Sequence, residues 1–502
     1  MATLESILES DLADVAKGDH PIDVLIIGSG AAGVTSAIQL AREGKRVVIL
    51  EAGPFLLTSH VGSTPFRSRE DIVPQIHQKV VYRSSWKTAS DLEDLGDEEA
   101  PGNNNAWSLV GGRTVFWGGC TPRFTSWDFD DWPISLGDVE PYYERVEAMM
   151  HVSGQPGGDQ PAFFQSKSQD ELIDKLNTAE IAARRATLGV DTDDVRNGHI
   201  SRGFDSSVAR LLRSGNLIPW GDKAGISLVA QAEALRLIKG DKAIEGVEVL
   251  DRRTGDTHVL HATQVVLAGS ALQSTRLAMV SELNDPSGMM GHYVNDHLFV
   301  QGVMKLDKPL EEGPLYIFLE PTPERPYHVQ LQGPFNETWY SPYHATVWLE
   351  PDPEGVYVLF YVFGVGTVEH GNRLELRKRK GDGSVMNDYV VVYDRSEQDI
   401  EVLQQMRDCM PAAAKVMGAE VVKDQINNPG EALHKIGGLR MGTTESEGVT
   451  DTYGKFWRYD NLWAADASSW PSQGTANSYL TIASLALRQA EKLNEVMGGS
   501  GA

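Results

Sequence analysis

The chain has 502 residues, of which 41% are hydrophobic and 23% are charged. This composition is typical of globular proteins and excludes a disordered or fibrous one. Its 70 acidic residues outnumber the 45 basic ones and give a net charge of −25. Because such a surface repels phosphate groups, we expect neither nucleic acid nor an anionic membrane as a partner. Two cysteines, Cys120 and Cys409, are too few for a disulfide scaffold.

The first residues lack the basic and apolar regions of a secretory signal. No stretch reaches the ~18 apolar residues that a membrane span requires. Leu4, Ile7, Leu8, Leu12 and Val15 instead recur at helical spacing and predict a short amphipathic helix. We therefore expect a cytoplasmic protein.

The first functional motif is a glycine-rich turn between a strand and a helix. A buried-strand pattern is followed at once by the sequence GSGAAG, which begins at Gly28. A helical stretch and a second strand ending at Glu51 complete a dinucleotide-binding fingerprint. Gly28 permits the tight turn, Gly30 lets the backbone approach a pyrophosphate, and Gly33 lets the helix pack closely on the sheet. We expect these glycines and Ala32 to line the phosphates, and Glu51 to accept hydrogen bonds from a ribose.

The next stretches carry fewer signals. An acidic run at residues 88–102 is typical of a solvated loop, and a mobile lid over an active site is the alternative. The glycine-dense residues 111–120 predict backbone packed closely against a flat or charged group. A helix is expected from Asp138. Alternating patterns over residues 226–268 predict a β-ribbon, and its last strand leads through a glycine into a helix over Ala271–Met279.

The pattern changes after residue 298. Short period-2 runs with aromatic residues continue to about residue 393, most clearly at 328–331, 346–349 and 357–361. They predict an antiparallel sheet, which we assign to a substrate domain. Ser396 is placed to cap a helix that reaches about residue 417 and is interrupted by Pro411.

The most informative pattern lies in the C-terminal part. His434 is followed by a glycine-rich turn that ends in the letters MG, and a strand then leads into DAS at residues 466–468. A loop of small residues follows and carries Asn477 and Ser478. Together with the N-terminal GSGAAG, this arrangement resembles the glucose–methanol–choline (GMC) oxidoreductases, which are FAD enzymes. The resemblance covers most of the chain. The order of His then Asn is most similar to the pyranose oxidase branch, especially to bacterial sugar and C-glycoside 3-oxidases.

The resemblance implies an α/β plus α+β fold. A Rossmann-like FAD-binding domain is expected from the discontinuous residues 1–130, 201–298 and 426–502, the last of which carries the catalytic residues. A substrate-binding domain is expected from a helical segment, residues 131–200, and from an antiparallel sheet, residues 299–425.

The resemblance also implies which residues contact FAD. Ala234 is expected to meet the adenine through its backbone, and Asp466 and Ala467 to reach the pyrophosphate or the ribityl chain. The residues expected around the flavin are Gly112, Arg113, Thr114, Trp117, Gly118, Asn477 and Ser478. Fungal pyranose oxidases tether FAD through a histidine in the glycine-rich loop. Phe116 stands at that position here, so we expect non-covalent FAD. We expect no metal ion, because His292 and His297 lack a convincing set of further ligands.

Alcohol oxidation removes a hydroxyl proton together with the hydride on the same carbon. The flavin accepts the hydride, and a base must take the proton. Histidine, with an unperturbed pKa of ~6.5, suits this task. We predict that His434 is the base and that Asn477 holds the hydroxyl group. Without its neighbours His434 would more often be a core histidine, but the glycine-rich turn and DAS sequence favour the catalytic role.

Other residues receive more modest interpretations. The pair Asp296-His297 resembles a family dipeptide, for which we expect a structural role. Trp339, Tyr340 and Tyr343 could stack on a sugar face, and core packing is an equal alternative.

We expect FAD-dependent oxidation of a secondary hydroxyl, at C3, of a sugar or glycoside, including C-glycosides. The expected products are the 3-keto sugar and, with O2 as the acceptor, H2O2. Three alternatives stay open. One is a dehydrogenase of the same family that uses a quinone or a protein as its acceptor. Another is a flavin-containing hydroxynitrile lyase, and the third is an NAD-binding reductase that uses only the first fingerprint.

Overall fold

The computed structural model describes residues 9–63, 81–90, 104–163, 165–192, 203–334, 355–377 and 389–498. Most of the acidic run at 88–102, the strand expected at 346–349 and the start of the expected N-terminal helix lie outside these ranges. Trp339, Tyr340 and Tyr343 also lie outside them.

The strands in chain order are β1 (Ile22–Ile27), β2 (Arg46–Glu51), β3 (Val81–Lys87), β4 (Asn104–Trp107), β5 (Val152–Ser153), β6 (Ala183–Arg185), β7 (Leu188–Gly189), β8 (Gly225–Ala230), β9 (Ala232–Lys239), β10 (Ile244–Asp251), β11 (Thr257–Leu260), β12 (Ala262–Leu267), β13 (Leu298–Leu306), β14 (Leu315–Leu319), β15 (Tyr327–Gly333), β16 (Tyr357–Gly364), β17 (Arg373–Leu376), β18 (Tyr389–Val392), β19 (Ala419–Ile426) and β20 (Leu462–Ala464). The α-helices are α1 (Leu12–Ala16), α2 (Ala31–Arg42), α3 (Leu136–Met150), α4 (Lys167–Thr178), α5 (Ser207–Arg213), α6 (Ala271–Val280), α7 (Glu397–Met417) and α8 (Tyr479–Val496).

Five parallel strands form the first large sheet, in the order β20-β12-β1-β2-β8. On one face, Val24, Ile26 and Ile49 pack with residues of α2 and α8. On the other face, Leu25 and Val48 pack with the β9–β11 sheet and α6. Because both faces are covered, the strands are almost entirely apolar. The sheet combines distant parts of the chain and confirms the expected α/β domain.

Two glycines let α2 approach β1. Gly28 has a φ of 111°, and a Cβ there would lie 2.3 Å from the carbonyl oxygen of Ala268. A Cβ on Gly33 would lie 2.0 Å from the carbonyl oxygen of Gly28. Any side chain at either position would clash with backbone, so this close approach requires glycine.

The predicted β-ribbon over residues 226–268 is wrong in part. Strands β9, β10 and β11 do form an antiparallel sheet. Strand β8, however, pairs in parallel with β2, and β12 pairs in parallel with β1. All six residues of β8 are buried. Sequence periodicity alone does not show which sheet a fully buried strand joins.

Six antiparallel strands form the second large sheet, in the order β19-β13-β16-β15-β14-β6. One face carries apolar residues such as Val300, Val329 and Phe360, which pack against Met406 and Met410 of α7. The opposite face combines polar side chains, including Gln301, Gln330 and Gln332, with aromatic ones such as Phe299 and Phe363. This sheet confirms the expected antiparallel sheet, and its assignment to a substrate domain stays a prediction.

Helix α7 begins and ends where the sequence predicts. The Ser396 hydroxyl accepts a hydrogen bond from the Asp399 N–H, and the Asp399 carboxylate accepts one from Ser396 N–H. The predicted interruption at Pro411 is wrong, since the helix runs through it to Met417. Apolar residues before and after the proline, including Met410 and Ala414, pack on the sheet and hold both halves in one helix.

None of the helices in the described ranges combines the length and hydropathy needed to span a bilayer. Within the same ranges, no three His, Cys, Asp or Glu residues are grouped to hold a metal ion. The absence of a metal remains a prediction.

Candidate active site

A cavity of about 710 Å³ lies between the carboxyl ends of the parallel strands and the face of the antiparallel sheet opposite α7. Open α/β sheets commonly bind ligands at this edge. The predicted site residues that line the cavity are Gly28, Gly30, Ala32, Glu51, Gly112, Arg113, Thr114, Trp117, Gly118, Ala234, His434, Asp466, Ala467, Asn477 and Ser478. Gly33 is not among the lining residues, because it faces the backbone of Gly28.

Glu51 closes the end of β2 and is buried against the glycine-rich turn. One carboxylate oxygen accepts hydrogen bonds from Ser29 N–H at 3.2 Å and Ser29 Oγ at 2.7 Å, and the other accepts one from Gly53 N–H at 2.9 Å. Burial raises the pKa of Glu51 to about 7, although these hydrogen bonds oppose the shift. Ser29 Oγ also accepts a hydrogen bond from Gly111 N–H at 3.0 Å. Ser29 therefore connects Glu51 to the glycine-dense segment.

The turn before α2 fits the pyrophosphate of a dinucleotide. A Cβ on Gly30 would have no atom within 4 Å, although Gly30 borders the cavity. Gly30 is also the N-cap of α2, and no side chain caps that end of the helix. The N–H groups at a helix start bind anions. These residues therefore suit the phosphates of FAD.

The glycine-dense segment forms a fixed wall of the cavity. Gly111 and Gly112 have φ values of 91° and 54°, in the region that favours glycine. The Thr114 hydroxyl donates to the Gly111 carbonyl at 2.6 Å and accepts from Ser207 N–H at 2.8 Å. The first hydrogen bond closes the turn within the segment, and the second holds the segment against α5.

Trp117 and Phe116 extend this wall. The Trp117 indole N–H donates to the carbonyl of Asp205 at 2.7 Å, and its ring lies edge-on to Tyr479 with centroids 4.1 Å apart. Phe116 packs against Trp107 with ring centroids 4.8 Å apart. Phe116 lines the cavity with a side chain that has no nucleophilic atom.

The structure brings the predicted catalytic pair together. His434 Nε2 lies 3.3 Å from the amide nitrogen of Asn477. The Asn477 oxygen accepts a hydrogen bond from the side-chain amide of Gln330 on β15. The pair therefore sits where the C-terminal loops meet the antiparallel sheet.

The backbone before His434 is held by two charged residues. Leu433 has a φ of 68°, which is uncommon for a residue with a branched side chain. The buried carboxylate of Asp296 accepts hydrogen bonds from Leu433 N–H at 3.1 Å and His434 N–H at 2.7 Å. The Arg113 guanidinium donates to the Leu433 carbonyl. These contacts hold a strained turn in place and fix the position of His434. The contacts of Asp296 agree with the structural role expected for it.

Burial sets the charge states around His434. It lowers the pKa of His434 well below 6.5, and the neighbouring His297, Arg113 and Lys435 lower it further. Burial and the charge of Arg113 also lower the pKa of Lys435 to about 7. His434 is therefore neutral at neutral pH, which is the form a general base requires.

Comparisons with known proteins identify two domains of the chain. Residues 369–486 match the family model described as GMC oxidoreductase, and residues 23–64 match that of an FAD binding domain. The C-terminal part of the chain is a GMC oxidoreductase domain. The chain is an FAD-dependent enzyme, and these matches set aside the alternative of an NAD-binding reductase.

Relatives resemble the chain along nearly its whole length. It is 24% identical over 536 residues to 2-methyl-1,2-propanediol dehydrogenase of Mycolicibacterium austroafricanum, covering 94% of this chain and 95% of that protein. It is 27% identical over 519 residues to C-glycoside 3-oxidase of Arthrobacter globiformis, covering 94% of this chain and 95% of that protein. Its fold is similar to that of a variant of Aspergillus oryzae formate oxidase, with a TM-score of 0.71 at 14% identity over 95% of this chain and 98% of that one.

Sequence reasoning missed the polar side chains on the face of the antiparallel sheet that borders the cavity. Strand pairing aligns one row of side chains that border the cavity, from β19 through β13 and β16 to β15: Gln425, Gln301, Tyr361 and Gln330. A neighbouring row adds Gln332 and Tyr316, joined by a hydrogen bond from the amide to the phenol oxygen. One sequence pattern did indicate this face. Residues 328–333 of β15 read HVQLQG, in which polar residues alternate with apolar ones, and the structure buries all of them.

Sequence reasoning also missed two neighbours of His434. His297 Nδ1 lies 3.1 Å from His434 Nδ1, so His297 contacts the predicted base directly. Lys435 places an ionisable group beside it, in the cavity lining. The adjacency of Lys435 to His434 in the sequence was visible, but its partly buried position in the cavity lining was not.

Proposed function

We propose that this enzyme oxidises a secondary hydroxyl, at C3, of a sugar or glycoside, including C-glycosides. The observation that carries the proposal is the row of glutamine and tyrosine side chains that faces the His434–Asn477 pair. A glutamine amide both donates and accepts hydrogen bonds, as does each hydroxyl of a sugar. A cavity lined by several such groups suits a neutral, polyhydroxylated substrate better than a simple alcohol.

The proposed roles follow from the positions of the side chains. Bound FAD supplies the hydride acceptor. His434 Nε2 takes the hydroxyl proton, while the Asn477 amide N–H donates to the same oxygen and orients the reacting carbon. Arg113, and Lys435 in its charged form, stabilise the negative charge that grows on that oxygen as the proton leaves.

The position and the acceptor rest on the sequence pattern and on one relative. The order of His then Asn and the similarity to a C-glycoside 3-oxidase support oxidation at C3 with O2 as the acceptor. The second candidate is a dehydrogenase with a quinone or protein acceptor. The similarity to 2-methyl-1,2-propanediol dehydrogenase favours that candidate. Nothing in the described residues favours a hydroxynitrile lyase over these two.

An anaerobic substrate panel tests the proposal. The holoenzyme is mixed with hexoses, O-glycosides, C-glycosides and simple diols, and loss of the flavin absorbance near ~450 nm is followed. We expect sugars or glycosides to bleach the flavin and to give a 3-keto product. Bleaching by simple diols alone would contradict the sugar assignment, and an unbleached flavin with cyanide release from a cyanohydrin would indicate the lyase.

Readmitting air to the bleached enzyme separates the two acceptors. Rapid recovery of the flavin colour with H2O2 release supports O2. Slow recovery in air, with rapid recovery after a quinone is added, supports the dehydrogenase.

A further inference from the structure

We propose that His297 is a positioning residue that fixes the tautomer of His434, with the proton on Nδ1 and the lone pair of Nε2 facing the cavity. This inference rests on the proposed function only in taking His434 as the base. It is carried by a chain of contacts from the Gly474 carbonyl through His297 and His434 to Asn477. The distances are 3.0 Å from Gly474 O to His297 Nε2, 3.1 Å between the two Nδ1 atoms, and 3.3 Å from His434 Nε2 to Asn477.

The protonation of His297 follows from its carbonyl partner. A carbonyl oxygen only accepts hydrogen bonds, so His297 Nε2 must carry a proton to bond to Gly474. Burial lowers the pKa of His297 to about 3, so the ring is neutral and has only one N–H. His297 Nδ1 therefore presents a lone pair to His434.

The protonation of His434 follows in turn. With a lone pair on His297 Nδ1, the 3.1 Å contact is a hydrogen bond only if His434 Nδ1 donates. His434 is also neutral, because burial and its charged neighbours lower its pKa. Its Nε2 is then unprotonated and is able to take a substrate proton.

A second chain of contacts reaches the same result from the antiparallel sheet. Cys120 and Tyr316 are hydrogen-bonded to each other, and both lie within reach of the Gln330 side-chain oxygen, at 3.3 Å and 3.4 Å. Burial raises the pKa of Cys120 to about 12, so its thiol keeps its proton. Whichever of the two donates to the other, one proton remains, and Gln330 Oε1 lies nearer to Cys120 Sγ than the Gly118 carbonyl does, which is 4.0 Å from that sulfur.

The orientation of the Gln330 amide determines that of the Asn477 amide. Because the Gln330 oxygen accepts, its amide nitrogen faces Asn477 and donates to the Asn477 oxygen. The Asn477 amide N–H must therefore face His434 Nε2, and an amide nitrogen does not accept. His434 Nε2 is again the unprotonated nitrogen. The two chains share no residue before His434, so each supports the tautomer independently.

The tautomer matters because the two neutral forms of histidine place their lone pair on opposite sides of the ring. A proton on Nε2 would point into the cavity, and that form could not accept the substrate proton. Replacing His297 by phenylalanine keeps an aromatic ring but removes the acceptor, so part of the enzyme should take the inactive form. We expect His297→Phe to slow flavin reduction roughly 10- to 100-fold, the range for losing one buried hydrogen-bond partner.

The direct test is nuclear magnetic resonance of the holoenzyme with 15N-labelled histidine. The signals of His434 are identified by their loss in His434→Gln. We expect Nε2 of His434 to have the shift of an unprotonated nitrogen and Nδ1 that of a protonated one. A protonated Nε2 in the resting enzyme would overturn the inference. This measurement needs no substrate, so its result does not depend on which compounds reduce the flavin in the substrate panel.

Two variants separate positioning from packing. In His297→Asp, the new carboxylate can accept a hydrogen bond from His434 Nδ1. Its negative charge also raises the pKa of His434, whereas the positive charges of Arg113 and Lys435 lower it. We expect this variant to keep the Nδ1 proton and to recover activity as the pH rises, whereas His297→Phe stays slow at every pH. Retained FAD and an unchanged thermal midpoint show that the variants fold. Equal activities and equal pH profiles for both folded variants would contradict the inference, and if neither folds, the resonance test on the unmodified enzyme decides.

Discussion

The rings of His434 and His297 meet through their Nδ1 atoms, 3.1 Å apart, although 137 residues separate them in the chain. The rings stand nearly perpendicular, at 82°. Their partners on the far sides are the Gly474 carbonyl and the Asn477 amide. The predicted base is therefore positioned by the residue before β13 as well as by its own glycine-rich turn.

FAD affinity should depend on the ionisation of Glu51. Burial raises its pKa to about 7, so the neutral form dominates below that pH. The carboxylate is the better acceptor for ribose hydroxyls. The affinity for FAD should thus increase with pH and level off above pH 7. Because only about a tenth of such a group is ionised one unit below its pKa, the affinity at pH 6 should be roughly 10-fold lower than at pH 8.

Equilibrium titration of the apoprotein with FAD measures this dependence. Glu51→Gln should bind FAD more weakly and without the step near pH 7. Glu245→Gln, an exposed change on β10, serves as the control and should behave as the unmodified protein does. A step of equal size in Glu51→Gln would show that another group is responsible.

The flavin should be released by denaturation. By the resemblance, Phe116 stands where fungal pyranose oxidases carry the histidine that is bonded to FAD. The ring of Phe116 cannot form a covalent bond to the cofactor. Acid precipitation should leave the yellow colour in the supernatant, with FAD rather than FMN as the released species. Colour in the pellet would mean that another residue of the cavity bonds to the flavin.

The polar side chains on the sheet face that borders the cavity should determine the preference for sugars. Gln301→Leu removes a donor and an acceptor from the middle of the row, so KM for the best sugar should rise roughly 10-fold, as expected for the loss of one or two hydrogen bonds. KM for a simple alcohol should change much less. Steady-state assays with both substrates test this, and Gln404→Leu on the exposed side of α7 is the matched control. An equal rise for both substrates would argue against sugar recognition by this face.

Asn477→Asp should impair the base although it changes few atoms. The carboxylate cannot donate to the substrate oxygen, and its charge near His434 Nε2 favours the protonated form of that ring. The pKa of His434 should rise, so activity should fall as the pH is lowered through the neutral range and recover at high pH. We expect a loss of roughly 100-fold at pH 7 from the two effects together. An unchanged pH profile in stopped-flow reduction would contradict this account.

The sequence predicted those parts of the fold that depend on local patterns. The turn from Gly28 to Gly33 is readable in part from local requirements, since Gly28 has a φ of 111° and a Cβ on Gly33 would lie 2.0 Å from the Gly28 carbonyl oxygen. The His434–Asn477 pair was predicted from a resemblance, and the structure brings the two side chains within 3.3 Å of each other. The resemblance to the GMC oxidoreductases, the fold class and FAD are confirmed, whereas the individual roles of the site residues stay predictions.

The features that were missed depend on contacts between distant segments. Gln301 and Gln330 lie in one row only because β13, β16 and β15 pair in a particular register. The depressed pKa of His434 depends on burial and on Arg113, which is far from it in the chain. The errors at β8 and Pro411 have a similar origin, since tertiary packing overrode the local pattern in both.

The central claim is that His434 is the base in FAD-dependent oxidation of a hydroxyl group. Anaerobic stopped-flow spectroscopy of His434→Ala, with a sugar or glycoside that bleaches the unmodified enzyme, tests it most directly. We predict that flavin reduction slows by roughly 10²- to 10⁴-fold, the usual effect of losing a general base, while the FAD content stays the same. Reduction of His434→Ala at the rate of the unmodified enzyme would contradict the claim.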